Sequence, residues 1–292
     1  IIKPFLYSLA MIDGASPCDQ VLHVQRTYRL DNGQTWTPRN TNHRRVGEMV
    51  SIQWGLQNSD NWVTAELMSR TSPLTFKRLL ESYGLRGPIE ATMAMSLGTP
   101  EATVGEMVSG YTTFVNDGVR VDPILVTQIE DMHGNIVATF APKMTEVLTA
   151  DAAHKMLYML QNVVNGGTGG RLRSSFGLQM PLGGKTGTTQ NNSDTWFMGF
   201  TPDLVAGCWV GGEERSVRFN SMAFGQGAAA ALPIFGKFLK KVYGDSKLGY
   251  LANIPFQLPE GFSPCYDAGN SDEAVEIYEG VTPDSTSSYS PF

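Results

Sequence analysis

The 292-residue chain predicts an α+β fold: an antiparallel sheet flanked by helices, with an all-helical subregion beside it. Two observations carry that reading. Helix patterns come first, from about residue 47 to residue 164, and strand-like runs follow mostly between 183 and 210. The strand–helix–strand alternation of a doubly wound sheet is scarce. A hydrophobic content of 41% supplies ample apolar material for one large globular unit or two small ones.

The opening run Ile1-Ile2-Lys3-Pro4-Phe5-Leu6-Tyr7 reads as the interior of a buried element, so the chain is expected to be a fragment. Met49, Ile52 and Leu56 have helical spacing and predict a helix over Gly47 to Gln57. Ser72-Pro73 forms a cap-plus-proline start for a helix over Leu74 to Tyr83, closed by Gly84. A third helix is expected from Val104 to Val115, ending at Asn116-Asp117-Gly118. Leu125 to Ile129 and Asn135 to Phe140 read as hairpin arms around His133-Gly134. Thr149 caps a long helix running through Val164, and Gly166-Gly167 stops it. The strand of Lys185 follows. Thr195 to Phe200 and Leu204 to Val210 then form neighbouring antiparallel strands across Thr201-Pro202-Asp203, and a helix over Ala229 to Val242 completes the compact part.

Charge divides the chain at its end. The net charge is −6, yet from Gly249 onward there is no Lys or Arg and there are seven of the 28 acids. We therefore expect a folded unit over 1–248 and an acidic tail over 249–292, partly disordered and with Ser285 to Phe292 as its most disordered part. The near-neutral folded unit does not read as a nucleic-acid surface. Cys18, Cys208 and Cys265 lie far apart, and His23, His43, His133 and His154 have no ligand spacing, so no metal and no cofactor are expected. Cys208 reads as core, whereas pairing of Cys18 with Cys265 stays open. No apolar run reaches the ~18 to 20 residues of a membrane span.

The string Lys185-Thr186-Gly187-Thr188 is the strongest chemical signal. At ordinary residue frequencies it arises by chance roughly a few thousandths of a time in a chain of this length. Lys185 supplies a cation and the threonines supply hydroxyl donors, a match to a carboxylate. Gly187 lets a substrate backbone approach the strand closely. In a strand Lys185 and Gly187 face one side and the two threonines the other. Ser59-Asp60-Asn61 is a second candidate, though a Ser-x-Asn triplet is a weak signal and, taken alone, a plain helix cap is the favoured account. Lys3 is a third: a lysine can activate a serine one helical turn earlier, yet no lysine in the chain has a serine three positions before it. For Lys3 that position would precede Ile1.

In order and approximate spacing, Lys3-Pro4-Phe5-Leu6-Tyr7, Ser59-Asp60-Asn61 and Lys185-Thr186-Gly187-Thr188 resemble the Ser-x-x-Lys, Ser-x-Asn and Lys-Thr-Gly motifs of penicillin-binding transpeptidases. Trp36-Thr37-Pro38-Arg39-Asn40, Tyr111 to Gly118 and Trp196 to Asp203 are similar to the bifunctional class A branch, and the resemblance runs from Ile1 to about Lys241. It implies a penicillin-binding, serine β-lactamase-like transpeptidase fold and a peptidoglycan DD-transpeptidase that takes stem peptides and is acylated by β-lactams. It further implies Lys3 as base, Ser59 as proton relay, Asn61 holding the substrate amide, Lys185 setting the field, Thr186 and Thr188 binding the terminal carboxylate, and the Thr188 N–H as an oxyanion donor. The nucleophilic serine is expected immediately before Ile1. A class A parent would be anchored on the extracytoplasmic face of the cell membrane and carry a glycosyltransferase domain; lacking that parent's first strands, the sheet is expected to have a bare edge and the isolated chain poor stability. A non-catalytic penicillin- or peptide-binding module and a β-lactamase or DD-carboxypeptidase of the same fold are the alternatives. A P-loop fails at Gln179, where a glycine is needed, and a nucleophile elbow at Ser96 lacks a preceding strand.

Overall fold

A computed structural model describes residues 1–30, 32–41 and 43–265. Its hub is helix α1 (Lys3–Ile12), with Pro4 in the first turn, where a missing N–H costs nothing. Lys3 through Leu9 and Met11 are all buried, so α1 is enclosed on every side rather than amphipathic. Phe5 anchors it, its ring 4.2 Å from Tyr83 and 5.5 Å from Tyr111.

Strand β1 (Gln20–Leu22) leaves this hub, and after the small antiparallel pair β2 (Tyr28–Arg29) and β3 (Thr35–Trp36) the chain returns as β4 (Met49–Ser51) beside β1. Helices α2 (Ile52–Gln57), α3 (Asn61–Ser69), α4 (Pro73–Ser82) and α5 (Val104–Thr112) build the helical region, with a 3₁₀ turn at Met93–Leu97. The expected helix from Gly47 is shorter. Residues Met49 to Ser51 pair with β1, Met49 is exposed, and the Ser51 hydroxyl accepts the Trp54 N–H at 3.1 Å, which starts α2 at Ile52. Local spacing had put Met49 on an apolar helix face; strand pairing overrode it.

Strands β5 (Val119–Val121) and β8 (Met144–Glu146) pair antiparallel and frame the exposed hairpin of β6 (Gln128–Glu130) and β7 (Ile136–Thr139). Gly134, at φ +82°, makes its turn. Helix α6 (Ala150–Gly166) starts at the Thr149 cap, and the short α7 (Arg171–Ser174) leads to the sheet. That sheet has three antiparallel strands among the described residues, in the order β11 (Val205–Gly211), β10 (Asp194–Phe200), β9 (Gly183–Thr188), so β9 and β11 are its edges. After β11 come the short α8 (Met222–Gly225) and α9 (Ala231–Gly244).

Alternation along β10 assigns the two sheet faces. Met198 and Phe200 join the core built on α1 and α6, whereas Phe197 turns to a second core with Leu232, Phe235 and Leu239 of α9. The result is the expected α+β arrangement of helices on both faces. Cys208 on β11 is half-buried against the second core. Ser96, in the 3₁₀ turn, is buried and gives its hydroxyl to the Met93 carbonyl at 2.7 Å, so it is not a displayed nucleophile.

Residues 249–265 pack back on the fold. Phe256 meets Phe200 at 5.9 Å, Phe262 meets His154 at 5.7 Å, and Cys265 is disulfide-bonded to Cys18. The expected disorder of Ser285 to Phe292 lies outside the described residues. Because this bridge spans 247 positions of chain, C18S is expected to lower stability by about 2–4 kcal/mol, read as a lower urea midpoint under oxidising conditions. Under reducing conditions the variant and the parent chain should unfold at the same midpoint.

Candidate active site

The site forms where the end of α2, the start of α1 and strand β9 meet. Helix α2 stops at Asn58, and Ser59 then takes a left-handed backbone conformation at φ +56°, uncommon for a residue with a side chain. Three backbone bonds hold this turn: Asn58 N–H to Trp54 O at 3.0 Å, Ser59 N–H to Leu56 O at 3.1 Å, and Asp60 N–H to Gly55 O at 2.8 Å. Asp60 then caps α3, its carboxylate accepting the N–H groups of Trp62 at 2.9 Å and Val63 at 3.0 Å. The cap and the site are therefore one structure, and Ser59 and Asn61 flank it.

Two lysines converge on Ser59. Lys3 Nζ donates to the Ser59 carbonyl at 2.5 Å and to Asn61 Oδ1 at 2.6 Å, and lies 3.5 Å from Ser59 Oγ. Lys185 Nζ, from the opposite wall, donates to Ser59 Oγ at 2.9 Å and to the Thr186 carbonyl at 2.9 Å. Lys3 is 7% exposed and Lys185 fully buried. Burial therefore disfavours both ammonium ions. It lowers Lys3 to about 7 against an opposing pull from Asp60, and it drives Lys185 well below the ordinary lysine value, with Lys3 pushing the same way.

The backbone nitrogen of Ile1 belongs to the same cluster. Gly187 leaves the room for it: a Cβ there would stand 3.1 Å from that nitrogen and 3.0 Å from Ile1 Cγ2. The buried Tyr111 fixes Ile1 from behind, donating its hydroxyl to the Ile1 carbonyl at 2.8 Å.

Along β9 the side chains alternate. Lys185 and Gly187 face Ser59 and Ile1, while Thr186 turns away to share a 2.7 Å hydroxyl bond with Thr168. Thr188, exposed at the strand end, accepts the Gly227 N–H at 3.0 Å, a bond that leaves its own hydroxyl proton unused. The structure thus brings Lys3, Ser59, Asn61 and Lys185 into one cluster and sets Gly187 and Thr188 along its rim, whereas Thr186, expected beside Thr188 as a carboxylate ligand, is buried on the opposite side of the strand because its hydroxyl meets Thr168. Sequence reasoning missed Thr168, which lies in the Gly166-to-Gly170 stop of α6. The Thr168 N–H also bonds Gln57 O at 3.2 Å, so this residue ties the end of α2 to β9. It missed Asn40 and His23 as well; both touch Asp60 across 20 and 37 residues.

Residues 1–210 match the family described as penicillin binding protein transpeptidase domain, and the chain belongs to that family. Within it the chain is similar to penicillin-binding protein 1A of Neisseria gonorrhoeae, 28% identical over 246 residues, which are 82% of this chain and 30% of that protein. Penicillin-binding protein 1A of Aquifex aeolicus is 29% identical over 82% of this chain and 32% of its own length. The chain thus spans about a third of the curated relatives it matches. Among solved structures, penicillin-binding protein 1A from Haemophilus influenzae superposes with a TM-score of 0.78 at 21% identity, covering 88% of this chain and 43% of that one. The PonA1 protein of Mycobacterium tuberculosis in complex with penicillin V does so with a TM-score of 0.68 at 19% identity, covering 88% and 70%. These likenesses establish the transpeptidase fold.

Replacing Thr168 with Val removes the hydroxyl that meets Thr186 and keeps the shape. The expected cost is about 1 kcal/mol, measured as the shift in urea midpoint, because a half-buried hydroxyl loses one partner.

Proposed function

We propose that this chain is the DD-transpeptidase part of a class A penicillin-binding protein, cross-linking peptidoglycan stem peptides on the extracytoplasmic face of the membrane. One observation carries the reading: two buried lysines from opposite walls meet at Ser59, beside a backbone nitrogen pressed against Gly187. A serine bonded to that nitrogen would sit one helical turn before Lys3, among the three motifs.

In this mechanism the serine Oγ attacks the carbonyl carbon between two terminal D-alanines, and Lys3 takes its proton. The tetrahedral oxyanion rests on two N–H donors, one of them Thr188. Ser59, bonded to Lys185, relays a proton to the departing D-alanine nitrogen, leaving a serine ester. A stem-peptide amine then attacks that ester, and the serine regains its proton as the cross-link forms. Asn61 holds the donor amide, Lys185 supplies field, and Thr188, exposed at the strand end, binds the terminal carboxylate, while the Thr186 hydroxyl stays on Thr168 and takes no direct part. A β-lactam enters the same path, and its ring-opened ester deacylates slowly. Membrane anchoring and glycosyl transfer belong to this proposal for the full-length protein.

The test is labelling of an upstream-extended chain with a fluorescent penicillin. Stable labelling is the expected result; rapid turnover would make it a β-lactamase and an unlabelled protein a non-catalytic module. Lys3→Met should slow acylation by about 10²- to 10⁴-fold, the usual worth of a general base. Because the neutral amine is the base, the acylation rate should rise with pH and level off above about 7. A rate independent of pH between 5 and 9 would overturn the role of Lys3.

A further inference from the structure

Helix α3 begins at Asn61, and a helix leaves the N–H groups of its first turn without partners of its own. Asp60 serves Trp62 and Val63, but the N–H of Asn61 goes to Asn40 Oδ1 at 3.2 Å. Nδ2 of the same Asn40 amide donates to Asp60 Oδ2 at 2.6 Å. A backbone N–H only donates and a carboxylate only accepts, so its two partners fix which end of the Asn40 amide faces which way. Asn40 also brings its chain neighbour into place: the Arg39 carbonyl accepts Asn61 Nδ2 at 2.7 Å, while Lys3 donates to Asn61 Oδ1 at 2.6 Å from the other side.

We propose that Asn40 is a positioning residue for Asn61, locking the face of that side chain which meets the donor amide. The proposal rests on the transpeptidase reading for the substrate and on geometry alone for the lock. The segment that carries Asn40 is itself anchored. Pro38 is buried, and its carbonyl accepts Trp62 Nε1 at 3.1 Å and Gln25 Nε2 at 3.2 Å, while the Thr37 hydroxyl meets that of Thr27 at 2.8 Å. Asn61 is thus held from three sides: Asn40 on its backbone, Arg39 on Nδ2 and Lys3 on Oδ1. One Nδ2 proton is spent on Arg39, and the second is left for the carbonyl oxygen of a donor amide.

The lock makes a prediction that depends on the substrate. Benzylpenicillin carries an acylamino group in the place of the donor amide, whereas its deacylated nucleus keeps the ring system and lacks that amide. In N40A both bonds are lost and Asn61 can turn. Any disturbance passed to Lys3 slows acylation by both compounds, but a misplaced Nδ2 slows only the first. Acylation by benzylpenicillin should fall about 10²-fold, and its rate relative to the nucleus about tenfold. A purely structural role would lower the two rates together and leave their ratio unchanged.

An exchange of partners provides the rescue. N40D sets a second carboxylate against Asp60 and should lower the ratio as well. In N40D/D60N the carboxylate at position 40 accepts both the Asn61 N–H and the amide now at position 60, and Asn remains a good cap for α3. His23 suits either arrangement, because its neutral ring can donate or accept at Nε2.

The experiment measures acylation of the full-length protein, N40A, N40D and N40D/D60N by both compounds, in competition with a fluorescent penicillin, together with a crystal structure of N40A. A ratio that falls in the single variants and returns in the exchange, with Asn61 displaced in the crystal, supports the lock. An unchanged ratio, a ratio that the exchange does not restore, or an Asn61 that keeps its bonds to Lys3 and Arg39 in N40A overturns it. Should N40A fail to fold, N40D and the exchange decide by the same ratio. Should the full-length protein take no penicillin at all, the transpeptidase reading falls, and the crystal structure alone judges the lock.

Discussion

Everything near the cleft depends on keeping two lysine amines out of water within reach of one serine. Removing an ammonium ion from water costs several kcal/mol even after relaxation, so a fold tolerates such a group only if its protons are fully used or the charge is given up. Both devices operate here. Lys3 spends its protons on the Ser59 carbonyl and Asn61, Lys185 on the Ser59 hydroxyl and the Thr186 carbonyl, and burial moves both amines toward the neutral form. The acceptors come from the turn after α2, the first residue of α3 and β9, so satisfying the amines and joining the helical region to the sheet are the same event.

That requirement explains the strained turn. For its carbonyl to meet Lys3 while its hydroxyl meets Lys185, Ser59 must leave the helical conformation abruptly, and φ +56° does this in one residue. A left-handed serine persists only where its surroundings over-determine it. Here the preceding helix end supplies the bonds on one side and the Asp60 cap supplies them on the other. Strain at Ser59 and the buried acid at Asp60 are thus two parts of one design, with His23 and Asn40 as the partners that let a carboxylate stay buried.

What could be read from the sequence follows the range of the interactions. Lys185 to Thr188 was legible because its chemistry is contiguous, and β9 with its neighbours was legible because turn residues and apolar runs sit side by side. Ser59-Asp60-Asn61 carried two readings, cap and site; in the structure Asp60 is the cap, and its neighbours contact the two lysines. Met49 misled because strand pairing with Leu22 is non-local, whereas its spacing to Ile52 and Leu56 is local. His23, Asn40 and Thr168 were invisible for the same reason, since each acts on a residue at least 18 positions away. The association of Cys18 with Cys265 lay beyond spacing altogether, as a bridge of that length depends on the whole intervening fold.

The location of the site between two cores has a further consequence. Lys3 belongs to α1, the hub of the first core, whereas β9 is shared: Leu182 just before it packs in the second core with Phe197, while Met198, opposite Lys185, packs in the first. A small shift of one core against the other would alter the distances from Ser59 to the two amines. Packed interiors resist such shifts because they are dense and relax only partly. Glycines at 187 and 227 show how little slack remains: a Cβ at Gly187 would press on Ile1, and one at Gly227 would stand 2.5 Å from the Gly187 and Trp196 carbonyl oxygens. Side-chain bulk is excluded where the two halves close, so the spacing of the lysines is set by backbone contact rather than by flexible side chains.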